Sequence, residues 1–73
     1  MYRIYSKDNC KFCTMSKQLL EQKGILYEEL KYETDFTRDE LFERFPQAKT
    51  FPQIETTDGV YVGGFDQLKE LIG

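Results

Sequence analysis

The 73-residue sequence has no histidine and only two cysteines, Cys10 and Cys13. Structural zinc is usually held by four cysteine or histidine side chains, so only a site shared between subunits would complete such a set. No apolar run approaches the ~20 residues that a membrane-spanning helix needs. The opening residues, MYRIYSKDNC, contain no long apolar stretch that would act as a secretory signal. We therefore expect no metal, no membrane partner and a cytoplasmic location.

Clusters of lysine and arginine are missing as well. The net charge is −3, and no basic patch offers the footprint that nucleic acid requires, so we expect no nucleic-acid partner. Residues 1–24 carry five basic and two acidic groups, whereas residues 25–45 carry three basic and seven acidic groups. Both cysteines therefore lie in the basic part of an acidic chain, which favours a thiolate and an anionic partner.

The remaining composition is typical of a folded protein, with 40% hydrophobic and 32% charged residues. A chain of 73 residues suits one small domain, so residues 1–73 are predicted to form a single domain, which we expect to be a monomer. Domains of this size bury only about 60% of the surface of the unfolded chain. The 15% aromatic content compensates in part, because Phe and Tyr bury large areas.

The first half of the chain contains two strand patterns and one helix pattern. Tyr2–Tyr5 is aromatic and β-branched, as in a short strand. Apolar residues recur at helical spacing from Lys11 onward, and Gly24 stands where a helix would end in the left-handed conformation. Residues 25–32, ILYEELKY, predict a second strand.

The second half begins with a capping-box pattern. Thr37 precedes Glu40 by three positions, so a second helix is predicted to start there and to end at Pro46. The Asp58–Gly59 pair is typical of the turn of a β-hairpin. Apolar residues return at helical spacing from Phe65 onward, which predicts a third helix.

The order strand, helix, strand, helix, strand, strand, helix predicts an α/β fold. The opening strand-helix-strand unit should be a right-handed parallel crossover, and the hairpin should add antiparallel strands to the same sheet. The prediction is therefore a four-stranded mixed sheet with three helices on its two faces. The cysteine pair would lie just past the carboxyl end of the first strand, where such sheets usually place their sites.

Several roles are open to two cysteines at this spacing. A disulfide that closes so short a loop would stabilise the fold by only about 2 kcal/mol, and reducing cytosol would keep it open. The two cysteines would otherwise be unrelated buried thiols. That role suits Cys13, on the apolar side of a helix, but not Cys10 in a polar loop. A Cys-x-x-Cys that follows a strand and opens a helix is the thioredoxin-like signature, so we predict redox chemistry.

The predicted position of Cys10 favours a thiolate. At a helix N-terminus the sulfur faces unpaired backbone N–H groups and the positive end of the helix dipole, and Lys7 and Lys11 add positive charge. Thiols so placed have pKa values of roughly 3.5–7.5 instead of ~8.5. Cys10 would attack a disulfide, and Cys13, buried and protonated, would resolve the mixed disulfide that forms.

Three motifs, CKFC, TFPQIE and GGFDQL, occur in the order and at the spacing of glutaredoxins. The sequence resembles that family over nearly its whole length, especially its short dithiol members of the virus and bacterial type. The resemblance implies a thioredoxin-like fold and glutathione as the co-substrate that serves as reductant. It also implies protein disulfides and glutathione mixed disulfides as substrates, with ribonucleotide reductase as an expectation from the family.

The resemblance also implies a set of residues around the cysteine pair that contact glutathione. These residues are Lys7, Phe12, Phe51, Pro52, Phe65, Asp66 and Gln67. The Phe51–Pro52 bond is expected to be cis, so that the backbone of Phe51 can pair with the cysteinyl part of glutathione. Lys7 would meet the glycyl carboxylate. The N–H groups at Asp66 and Gln67 would bind the γ-glutamyl carboxylate, as helix N-termini bind anions.

Some of these residues also have an ordinary explanation. Lys7 would equally be a solvated surface lysine, and Pro52 a proline at the start of a strand. Gly63–Gly64 would equally be a strand-to-helix turn with Asp66 as the N-cap. The chain departs from the family pattern where other members commonly have proline, valine and aspartate; these departures are Lys11, Phe51 and Gln67.

Three other functions are compatible with the same sequence. The first is an electron donor that thioredoxin reductase recharges, against which the GGFDQL motif argues. The second is an iron–sulfur carrier in which Cys10 and glutathione hold a cluster across a dimer. The third is a structural subunit in which the cysteine pair has lost its role.

Overall fold

Seven elements follow one another in the predicted order in the structure, a computed structural model that describes residues 1–73. They are β1 (Tyr2–Ser6), α1 (Lys11–Gln22), β2 (Tyr27–Lys31), α2 (Arg38–Arg44), β3 (Gln53–Thr56), β4 (Tyr61–Gly63) and α3 (Phe65–Ile72). None of the helices has the length and apolar character that crossing a membrane requires.

The four strands form one mixed sheet in the order β2-β1-β3-β4. Strands β1 and β2 are parallel, with Tyr2 opposite Tyr27 and Ser6 opposite Lys31. Strand β3 runs antiparallel to both β1 and β4. The predicted crossover between parallel strands and the antiparallel hairpin are therefore both confirmed.

The two faces of the sheet carry separate cores, because successive side chains of a strand point to opposite faces. Between the sheet and the helices α1 and α3, the fully buried residues are Ile4, Leu20, Ile54 and Leu68. Beneath α2, the buried residues are Tyr5, Phe36, Leu41, Phe45 and Ala48. The three helices lie on the two faces of the sheet, as predicted, and β1 and β3 are its two central strands.

Local signals at the helix ends behave as predicted. Thr37 and Glu40 form a reciprocal capping box at the start of α2, and Gly24 has a φ of 67° after the end of α1. The second strand is shorter than the predicted range 25–32. Ile25 is not part of it, because its N–H donates to the carbonyl oxygen of Leu20 and completes the turn after α1.

A buried carboxylate ties α2 to the sheet. Glu55 of β3 is only 2% exposed and accepts hydrogen bonds from Arg3 Nη1 and Arg44 Nε, each at 2.7 Å, and from the Tyr5 hydroxyl at 3.3 Å. Burial acts to raise the pKa of Glu55, but the hydrogen bonds from Arg44 and Arg3 outweigh it and lower the pKa below its usual value. The buried carboxylate of Glu55 is thus held in its charged form.

Candidate active site

The cysteine pair stands at the junction between β1 and α1. Cys10 is the N-cap of α1, and its Sγ accepts a hydrogen bond from the backbone N–H of Cys13 at 3.2 Å. The two residues form a disulfide, with their Cα atoms 5.3 Å apart. Cys13 is 2% exposed, whereas Cys10 is partly exposed. The sulfur of Cys10 therefore occupies the predicted place at the positive end of the helix dipole.

Asn9 turns the chain from β1 into this cap. Its φ is 55°, in the left-handed region that Asn tolerates better than most residues. We did not identify Asn9 from the sequence. The available signal was its residue type together with Asp8, because adjacent Asp and Asn residues favour tight turns.

The second component of the site is the segment before β3. The Phe51–Pro52 peptide bond is cis, as the family resemblance implied. Pro52 is buried, and the ring of Phe51 packs at 5.9 Å from that of Tyr32. Lys7 Nζ lies 5.5 Å from the centroid of the Phe51 ring, within the range of a cation–π contact. Lys7 therefore connects the segment that carries Cys10 to the cis proline segment.

The third component is the N-terminus of α3. Gly64 is its N-cap, and the Gln67 side-chain oxygen accepts a hydrogen bond from the Gly64 N–H at 2.9 Å. The alternative that Asp66 is the N-cap is wrong, because Asp66 lies within the first turn of the helix. The N–H groups of the first turn have no acceptor within the helix and are available to an anion.

Gly63 makes this helix start possible. Its φ is 122°, and a Cβ added there would lie 2.9 Å from Cγ of Gln67. A side chain at this position would displace Gln67 from its capping position. The family resemblance places Gln67 in contact with glutathione. In the structure its side-chain oxygen instead accepts the hydrogen bond that caps its own helix.

An aromatic pair closes the ring of site residues. Phe12, between the two cysteines, is 50% exposed, and its ring lies 5.8 Å from that of Phe65 at the start of α3. The start of α3 lies next to the cis proline segment, because a Cβ added to Gly64 would be only 3.6 Å from the carbonyl oxygen of Pro52. The contacts thus run from Lys7 through the cis proline to α3 and back to the cysteine helix.

On another side of Cys10 lies a cleft of about 400 Å³, which we call the lysine cleft. Its charged lining residues are Lys7, Asp8, Lys11, Lys17, Glu29 and Lys31. A larger cleft of about 710 Å³, between α2 and the hairpin, contains neither cysteine. No group of three or more potential metal-ligating side chains is arranged to hold a metal ion.

Glu29 is one of the two acidic residues that line the lysine cleft. It pairs with Lys17 Nζ at 2.9 Å and accepts a hydrogen bond from the buried Ser6 hydroxyl at 2.8 Å. Burial acts to raise the pKa of Glu29, but the hydrogen bonds from Lys17 and Ser6 lower it overall. Sequence reasoning missed this cluster, since no local spacing relates the three residues.

The fold and the cysteine pair at the start of α1 define a thioredoxin-like thiol–disulfide oxidoreductase. A family model described as Glutaredoxin matches residues 3–62. The chain belongs to the glutaredoxin family.

Individual relatives agree with this assignment. Over 71 residues, the chain is 37% identical to Glutaredoxin 1 of Rickettsia felis, a match that covers 93% of this chain and 68% of the relative. It is 36% identical over 69 residues to Glutaredoxin 3 of Escherichia coli K12, and this match covers 93% of this chain and 81% of the relative. The crystal structure of Glutaredoxin 1 from Francisella tularensis superposes with a TM-score of 0.79 at 28% sequence identity. This superposition covers 94% of this chain and 87% of the other. The predicted thioredoxin-like fold is confirmed.

Proposed function

We propose that the protein uses glutathione to reduce protein disulfides and glutathione mixed disulfides, with Cys10 as the nucleophile and Cys13 as the resolving thiol. The supporting observation is the hydrogen bond of 3.2 Å from the Cys13 backbone N–H to the Cys10 sulfur at the N-cap of α1. A donor already aimed at the sulfur stabilises a thiolate more than a thiol. The burial of Cys13 suits a thiol that acts second and only within the molecule.

The reaction transfers two electrons from the reduced cysteine pair to the substrate. The Cys10 thiolate attacks one sulfur of the substrate disulfide, and the other sulfur leaves as a thiolate that takes a proton from solvent. Cys13 then loses its proton and attacks the Cys10 sulfur, which releases the second substrate thiol and leaves Cys10 and Cys13 joined. Two glutathione molecules reverse these steps and become glutathione disulfide.

The ring of contacts around Cys10 is our candidate glutathione site. The backbone of Phe51 would pair with the cysteinyl part of glutathione, and Lys7 would meet its glycyl carboxylate. The N–H groups of the first turn of α3 would bind the γ-glutamyl carboxylate. Because the Gln67 oxygen caps α3, we assign the glutathione amino group to the exposed carboxylate of Asp66. Phe12, Pro52 and Phe65 would supply the apolar walls.

We further propose that the unit is a single domain over residues 1–73, that it acts as a monomer in the cytoplasm, and that ribonucleotide reductase is among its substrates. A reducing cytoplasm supplies the glutathione that the reaction consumes. Family potentials of about −200 to −230 mV make the pair mild enough for glutathione to recharge it.

One assay tests the glutathione dependence. Reduction of a small glutathione mixed disulfide is followed with glutathione and glutathione reductase, and in parallel with thioredoxin reductase as the only electron source. We expect turnover with glutathione and little with thioredoxin reductase. The opposite preference would contradict the proposal and favour the donor recharged by thioredoxin reductase.

The Cys13→Ser variant tests the order of the two thiols. It should keep part of the reduction of the glutathione mixed disulfide, because that reaction needs only Cys10, and lose most of the reduction of protein disulfides. Steady-state rates on both substrates are the measurement. Equal losses on the two substrates would show that Cys13 is not a resolving thiol.

A further inference from the structure

The lysine cleft is a surface at the nucleophile that the proposed glutathione site leaves largely unused. Cys10 lines it together with the β2 residues Glu29 and Lys31. Of the candidate glutathione contacts, only Lys7 lines it, whereas Phe51, Pro52 and the α3 residues do not. The reactive sulfur thus lies between two different surfaces.

The charge of the lysine cleft opposes that of the whole molecule. Four lysines and two acidic residues line it, so it carries two excess positive charges in a chain whose net charge is −3. Lys17 pairs with Glu29 at 2.9 Å, and Lys31 pairs with Asp8 at 3.2 Å. The remaining two lysines supply the excess.

Lys7 and Lys11 are those two lysines, and neither takes part in any of the five ion pairs of the structure. Both are exposed and flank Cys10 in the sequence. Ammonium groups without a carboxylate partner in a concave surface attract anions and raise the local concentration of an anionic substrate.

The shape of a protein disulfide identifies the occupant. Glutathione has one residue on each side of its cysteine, whereas a protein chain continues beyond both. Because Lys7, the proposed contact of the glycyl carboxylate, also lines the lysine cleft, a chain that continues past this position enters the cleft. We propose that the lysine cleft binds an acidic segment that adjoins the reactive disulfide of protein substrates. This assignment rests on the proposed function.

The test uses two synthetic peptides of equal length that each contain one disulfide. Glutamates flank the disulfide in the acidic peptide, and glutamines flank it in the neutral peptide. Dithiothreitol recharges the cysteine pair, so the assay does not depend on glutathione. At low ionic strength the acidic peptide should react with about tenfold higher kcat/KM. The ratio of the two values should fall toward one at roughly 0.5 M salt, because exposed charges are then screened.

Two variants assign the effect to the cleft. The double variant Lys7→Gln, Lys11→Gln should bring the ratio of kcat/KM for acidic over neutral peptide close to one, whereas Lys23→Gln, at the other end of the same helix, should leave it unchanged. A ratio cancels any change that the substitutions cause in the acidity of Cys10, since both peptides meet the same thiolate.

Each other outcome has a distinct meaning. Equal reduction of both peptides by the unmodified protein, or an unchanged ratio in the double variant, would overturn the assignment of the cleft and leave the proposed function standing. If Lys11→Gln slowed the reduction of a glutathione mixed disulfide as much as that of the acidic peptide, the cleft would serve glutathione and not a protein segment. Reduction of neither peptide would overturn the proposed function and the cleft assignment together.

Discussion

Helices α1 and α2 start with the same hydrogen bond but use it differently. In α1 the Cys10 sulfur accepts from the backbone N–H three positions on, at 3.2 Å, and in α2 the Thr37 hydroxyl oxygen does the same at 3.2 Å. The α2 cap is closed by Glu40, whose carboxylate accepts from the Thr37 N–H at 2.8 Å. In α1 no side chain accepts a hydrogen bond from the backbone N–H of the N-cap residue, Cys10.

The first turns differ in charge as well. Asp39 and Glu40 neutralise the positive end of the dipole in α2, whereas α1 has no acidic residue in its first turn and begins with Lys11. The N-terminus of α2 is therefore electrostatically complete, and that of α1 is completed only when the sulfur carries a negative charge. The cap of α2 serves stability, whereas the cap of α1 suits the chemistry that we propose for Cys10.

Replacement of the sulfur should separate the two roles most strongly. In Cys10→Ser the hydroxyl still caps α1, because Ser is a preferred N-cap, so the thermal unfolding temperature should stay close to that of the unmodified protein in its reduced form. Turnover of the mixed disulfide should be abolished, a loss of at least about 1,000-fold, because a hydroxyl at this position is not ionised. Measurable turnover in this variant would refute the role of Cys10.

The buried ion cluster beneath α2 should show the opposite behaviour. Glu55→Gln removes a carboxylate that accepts hydrogen bonds from two arginines, which should destabilise the fold by about 2 kcal/mol in urea unfolding. Arg3 and Arg44 still reach solvent in the variant, so the cost stays below that of an isolated buried charge. The rate of alkylation of Cys10 should not change.

The same cluster predicts a direction for acid unfolding. The pKa of Glu55 is lowered in the folded protein, so its stabilisation is fully present above the pKa of the unfolded chain, about 4.5. That stabilisation is lost as the pH falls through the lower folded-state value. Below about pH 4.5 the stability difference between Glu55→Gln and the unmodified protein should therefore narrow. A constant difference down to about pH 2 would contradict a charged Glu55.

An acidic residue in the first turn should make α1 more like α2. Lys11→Glu should slow the alkylation of Cys10 by iodoacetamide by about fivefold at a pH where most of the thiol is protonated, since reversing a charge at a helix N-terminus is worth about 1 kcal/mol. Lys11→Gln should give an intermediate rate and Lys23→Gln an unchanged one. If all three variants reacted alike, the charge of the first turn would be irrelevant to Cys10.

The smallest effect belongs to the α2 cap. Thr37→Ala should lower the free energy of unfolding by about 1 kcal/mol, the usual value for loss of an N-cap, and leave the alkylation of Cys10 unchanged. Thr37→Ser should restore the stability, because a serine hydroxyl accepts the same hydrogen bond. A change in Cys10 reactivity would mean that the two helix starts are coupled.

Features that depend on close sequence neighbours could be predicted without coordinates. The caps of Cys10 and Thr37, the left-handed Gly24 and the order of the elements all follow from contacts within about one helical turn. The cis Phe51–Pro52 bond came from the family resemblance, since a proline in this position would otherwise be expected to be trans.

The arrangement of charge, by contrast, depended on the tertiary structure. Glu55 meets Arg3 across 52 positions and Arg44 across 11 positions, and Glu29 meets Ser6 across 23 positions. Local spacing determines which backbone groups a residue can cap, because those atoms are always within reach. Which charges are paired, and therefore which lysines stay free beside Cys10, is determined only when the sheet brings distant segments together.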